Sequence, residues 1–102
     1  VHVDPKIREY ILHLVTMTRD HEHLNLGASP RASIALFRAS QALAAIRGRN
    51  FVLPDDVKII APPVMTHRVI LKPEARMRKI TGKNVIEQIL AEIAVPVLES
   101  SA

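Results

Sequence analysis

The chain has 102 residues, 48% hydrophobic and 24% charged, enough for one core and too few for two domains. It contains no cysteine, which excludes disulfides, thiolate chemistry and cysteine-based zinc sites and fits a reducing cytoplasm. A net charge of +4 permits nucleic-acid binding without indicating it, and no apolar run approaches the roughly 20 residues of a membrane span.

The start, Val1-His2-Val3, has neither an initiator Met nor a signal-peptide pattern, and reads as the edge of an excised piece of a longer protein. Asp4-Pro5 is a cap followed by a first-turn proline. Ile7, Tyr10, Ile11, Leu14 and Val15 then repeat at helical spacing, which predicts an amphipathic helix to about Arg19. Residues 20–27 read as a polar connection with two leucines tucked in. A second helix is expected from Pro30 to about Arg47, stopping at Gly48. Between Ala32 and Ile46, 11 of 15 residues are apolar, so this helix reads as hydrophobic nearly all round and therefore central and buried.

Phe51-Val52-Leu53 is a short extended stretch, and Pro54-Asp55-Asp56 opens a third helix with its acids in the first turn. Pro62-Pro63 should kink or restart that helix. Val69-Ile70-Leu71 is a second extended run, expected to pair with residues 51–53. Residues 72–83 carry five Lys or Arg against one Glu and read as a mobile surface loop. A last helix is expected over about Asn84 to Ala94, ended by Pro96, with a disordered tail over 97–102. The fold class is all-α, a bundle of four or five helices spanning residues 1–96. With only Tyr10, Phe37 and Phe51 as aromatics, its core must be aliphatic.

Ser29-Pro30-Arg31 breaks a local rule. Ser29 suits an N-cap and Pro30 the first helical position, yet the next residue adds positive charge where the helix dipole is already positive. Two readings stay open: an exposed arginine beside an ordinary cap, or a receptor for phosphate built from a guanidinium and free N–H groups. Charge-assisted hydrogen bonds contribute about 1.5–3 kcal/mol, short of the ~4.1 kcal/mol of millimolar affinity. Arg31 alone therefore cannot hold ATP.

Asp20-His21-Glu22-His23, with His13 nearby, offers ligand types for a metal, but its histidines are two apart rather than four, and plain solvated residues are the simpler reading. Gly82-Lys83-Asn84 imitates the end of a phosphate loop, but Met77 stands where a glycine is required and Asn84 where Ser or Thr is. No metal site and no complete active site emerges.

Gly27-Ala28-Ser29-Pro30-Arg31-Ala32, then Gly48-Arg49 with Val52-x-Pro54-x-Asp56-Val57, then His67-Arg68, follow in an order that resembles the C-terminal helical lid of MoxR-type AAA+ ATPases. Thr18-Arg19 and the segment from Val85-Ile86 to Val95-Pro96 extend the likeness over nearly the whole chain. The resemblance implies that the lid folds over ATP and Mg²⁺ held mainly by a larger core domain. It further implies that Arg31 is the sensor-2 arginine reaching the γ-phosphate, flanked by Ser29 and Pro30, and that Tyr10 or Ile11 helps cover the adenine. Core packing is the competing reading for both of the last two. Ring assembly with neighbouring subunits, commonly as hexamers, is implied too, as is chaperone-like remodelling alongside von Willebrand factor A-domain proteins. Against this stands a free-standing helical nucleic-acid-binding or histone-fold-like module, since the turn from Arg49 to Val57 suits such folds as well.

Overall fold

The computed structural model describes residues 1–27 and 29–97. Helix α1 spans Pro5–Arg19; the Asp4 carboxylate accepts from the Lys6 N–H at 2.9 Å, and Ile7, Tyr10, Ile11, Leu14, Val15 and Thr18 form its buried face. Strand β1 (Leu24–Leu26) follows, then α2 (Pro30–Ile46), α3 (Pro54–Met65), a 3₁₀ turn (Thr66–Arg68), β2 (Ile70–Leu71), α4 (Pro73–Met77) and α5 (Gly82–Glu92). The core lies between α1, α2, α3 and α5, with α2 and α3 sharing the largest interface. Its fully buried members include Ile7, Leu14, Leu36, Met65, Ile86 and Ile89, each worth about 1.5–3 kcal/mol of transfer free energy. The molecule is elongated, 47 × 23 × 21 Å. No helix among the described residues is long and apolar enough to cross a membrane.

Several expectations are corrected. Residues 69–71 find their partner not in 51–53 but in β1, antiparallel, with Leu24 opposite Leu71 and Leu26 opposite Ile70. Leu24-Asn25-Leu26, read as polar connection with two leucines tucked in, forms this strand, and Leu24 goes into the core. Phe51 instead forms a lone parallel bridge with His2. There the His2 N–H donates to the Asn50 carbonyl at 2.7 Å and the Val52 N–H to the His2 carbonyl at 3.0 Å.

Helix α2 is not buried all round. Ala32, Leu36, Ser40 and Ala44 form a single buried stripe at i+4 spacing, while Ile34 and Ile46 are 56% and 82% exposed. It ends as expected, with Gly48 at φ +78°.

Helix α3 runs through Pro62 and Pro63 without restarting. The two prolines leave the carbonyls of Lys58 and Ile59 without helical donors. Neither residue is fully buried, so water can serve. Residues 72–83 hold α4 and the start of α5 rather than a mobile loop. Pro73 opens α4 and Ala75 anchors it in the interior. Helix α5 begins at Gly82, two residues earlier than expected, because Thr81 and Asn84 cap each other reciprocally at 3.1 Å. It stops at Glu92, before Pro96 is reached. Of the expected tail only Val97 is described, its carbonyl accepting from Lys6 Nζ at 3.1 Å; residues 98–102, like Ala28, lie outside the described residues.

Candidate functional site

The mouth of α2 carries the sequence-predicted residues. Ser29 has the extended backbone of an N-cap (φ −76°, ψ 166°), but its hydroxyl makes no capping bond. The Ala32 N–H reaches only the Ser29 carbonyl, at 2.9 Å, and the Ser33 hydroxyl donates to the Pro30 carbonyl at 2.6 Å. No acid stands in the first turn. Ser29, Pro30 and Arg31 are all exposed, and Arg31 makes no hydrogen bond or ion pair among the described residues. Arg31 is thus exposed, with no counter-charge among the described residues.

Beside it lies a groove between α1 and α2 of about 400 Å³, lined by Arg8, Ile11, Leu12, Ile34, Phe37 and Arg38 among others. Leu12 is 50% exposed and Ile34 56%. The Arg8 guanidinium lies over the Phe37 ring, 5.7 Å from its centroid. Arg31, Ile34, Arg38, Ala42 and Ala45 share the outer face of α2, opposite its buried stripe. The structure therefore brings the free arginine and an open apolar surface together on one helix.

Tyr10 and Ile11 sit in the core, 4% and 2% exposed. Ile11 also reaches the groove wall. The Tyr10 hydroxyl has no partner among the described residues, and burial, helped by the Asp55 charge, pushes its pKa above the ordinary tyrosine range. The His21 ring accepts from the His23 N–H at 3.1 Å, and Glu22 lies 3.6 Å from the His23 ring. At the end of α3, Arg68 Nε donates to the Val64 carbonyl at 3.1 Å, so the Arg68 charge sits at a helix C-terminus.

The sequence reading missed one constellation. Asp56, fully buried, accepts from Arg49 Nη1 at 2.7 Å, Arg49 Nη2 at 2.6 Å and the Leu53 N–H at 2.7 Å, with Arg47 at 3.8 Å. The Arg49 hydrogen bonds, with the Leu53 N–H behind them, hold the Asp56 carboxyl below the usual carboxylate range despite its burial, and Asp56 in turn raises Arg49. Arg49 also donates to the Phe51 carbonyl at 3.1 Å and lies over the Phe51 ring. Asp56 is the helix-start acid expected; its counter-charge, seven residues back across the Gly48 turn, was legible only in that an acid in a buried first turn needs one. The latch fixes the turn to which the N-terminal segment is bonded.

With this geometry in view, comparison with known proteins is direct. The sequence model of the AAA lid domain family matches residues 16–93. The chain is 42% identical over 101 residues to the uncharacterized protein YeaC of Bacillus subtilis, covering 99% of this chain and 32% of that protein. It is 36% identical over 97 residues to the chaperone MoxR1 of Mycobacterium tuberculosis, covering 86% and 26%. The crystal structure of a candidate ATPase from Cytophaga hutchinsonii superposes with a TM-score of 0.89 at 33% identity, over 95% of this chain and 32% of that one. The chain thus spans about a third or less of these relatives. It belongs to the AAA lid domain family and is a lid of the MoxR type.

Proposed function

We propose that this lid lends Arg31 as a sensor-2 arginine to ATP held with Mg²⁺ by a core domain of the same polypeptide, and couples hydrolysis to chaperone-like remodelling of other proteins. The observation that carries the reading is the guanidinium at the mouth of α2, unpaired among the described residues, in a first turn without acids and with its cap hydroxyl unused. Such a group fits a terminal phosphate by charge and by open N–H donors. The bound nucleotide supplies the phosphoryl group; Arg31 supplies positive charge where negative charge concentrates, and registers its loss. The outer face of α2 gives a core domain an apolar surface to close upon. In a ring, closing and opening of this lid would pass to neighbouring subunits. The relative named as a chaperone supports the remodelling role.

The test is Arg31→Ala in the full-length protein. ATP turnover should fall about 10²-fold, the loss typical of removing one preorganised charge donor. The melting temperature of the 102-residue chain should stay nearly unchanged, and the chain alone should show no turnover. Normal turnover with a large loss of stability makes Arg31 structural and ends the proposal.

A further inference from the structure

The charge of this chain is concentrated in one lobe. Between residues 67 and 83 there are six Lys or Arg and one acid, a local charge of +5; the rest of the chain has eight against nine, or −1. The ends of the lobe meet: a Cβ at Gly82 would lie 3.1 Å from the Thr66 carbonyl. The intervening residues therefore leave and return at one place in the fold, with β2 paired to β1 and Ala75 buried. Arg68 is spent on the Val64 carbonyl and Lys83 stands 3.8 Å from Glu87. Lys72, Arg76, Arg78 and Lys79 make no ion pair among the described residues. In their midst Met77 is 84% exposed, and Ile70 on β2 is 47% exposed.

Lys79 carries a second signal. Its φ of +62° is the left-handed conformation at the end of α4, where Ile80 N–H turns back to the Ala75 carbonyl at 3.0 Å. Glycine fits that position without strain. A cation stands there at a conformational cost.

We infer that the α4 lobe is a docking surface for an acidic segment of a protein partner, with an apolar side chain of that segment seated on Met77. Charge complementarity selects the acidic class and steers the encounter. The exposed thioether selects protein over nucleic acid, because a sugar–phosphate backbone has nothing to seat on it. The lobe also lacks any Phe, Tyr or Trp on which bases could stack. A membrane surface is disfavoured by the five-residue length of α4, which offers no broad apolar face.

The experiment uses the 102-residue chain and four labelled probes in fluorescence anisotropy or vesicle sedimentation. These are an Asp/Glu peptide with one central Leu, its Leu→Ser counterpart, a duplex DNA, and anionic phospholipid vesicles. The Leu peptide should bind best and weaken as salt rises from 50 to 200 mM. Arg76→Glu with Arg78→Glu should weaken it more than tenfold, and Met77→Ser about fivefold, with melting temperatures held. Lys79→Gly should weaken it while leaving the melting temperature equal or higher, which separates binding from folding. Failure of the Leu peptide to bind, tighter binding of DNA or vesicles, or indifference to these substitutions overturns the proposal.

Discussion

Asp56→Asn tests the latch most directly, because it keeps the shape of the side chain and removes its charge. In the folded chain one carboxylate oxygen accepts from both Arg49 Nη1 and Leu53 N–H at 2.7 Å, and the other from Arg49 Nη2 at 2.6 Å. An amide can keep its oxygen toward the first pair, but its NH₂ then faces the Nη2 donor at contact distance. Breaking a buried ion pair costs about 3–5 kcal/mol. Asp56 is fully buried, but the Arg49 side chain retains 20% exposure, so water still reaches the guanidinium and the lower end, about 3 kcal/mol, applies. For a domain of this size that lowers the melting temperature by about 12–24 °C.

Urea unfolding followed by circular dichroism measures the loss, with Arg49→Met and the double variant completing a cycle. A cost below about 1 kcal/mol, or strictly additive single losses, would refute the assignment of the pair as the clamp of this turn. Acid unfolding gives an independent check. The folded pKa of Asp56 lies below its unfolded value of 3.8, so its contribution is complete above that value and is lost as pH falls through the folded pKa. The variant should lack that part of the acid limb.

Two further substitutions probe the frame around the site. At Gly27 a Cβ would lie 2.6 Å from the Thr18 carbonyl and 2.7 Å from the Arg19 backbone, which cannot move aside as a flexible side chain would. Gly27→Ala should therefore cost about 1–3 kcal/mol in thermal unfolding and, being close to Arg31 in the chain, should also reduce ATP turnover of the full-length protein; unchanged stability refutes the close approach. Tyr10→Phe removes a buried hydroxyl that has no partner among the described residues, so stability near pH 7 should hold or rise. The raised pKa of Tyr10 makes its contribution complete below pH 10.0 and lost above, so the variant should unfold less readily in alkali than the parent. A clear loss of stability at neutral pH would show that the hydroxyl is satisfied after all.

How much of this was legible follows from where each determinant sits in the chain. Helix α1 is legible in the sequence because its cap, first-turn proline and apolar spacing all lie close together in the chain. The sheet was not, because Leu24 and Leu71 choose each other across the whole domain and three residues of alternation make a faint signal. Helix α4 was hidden by its charges, since only Ala75 goes inside. Arg49 stands out in the sequence only as part of the Gly48-Arg49 motif; its pairing with Asp56 exists only once the turn brings it back over the start of α3.

Helix α2 is the instructive disagreement. A helix apolar on every side belongs in an interior, yet here only the stripe of Ala32, Leu36, Ser40 and Ala44 is interior and Ile34 is open. The inner stripe is satisfied by this domain. The outer face sets Ile34, Ala42 and Ala45 beside Arg31 and Arg38, and the described residues leave it largely uncovered. Under the function proposed above, the apolar part of this face is where the core domain would close. Arg31 breaks the charge rule at the same end of the same helix, and under that function a nucleotide-bearing core docking there would account for both.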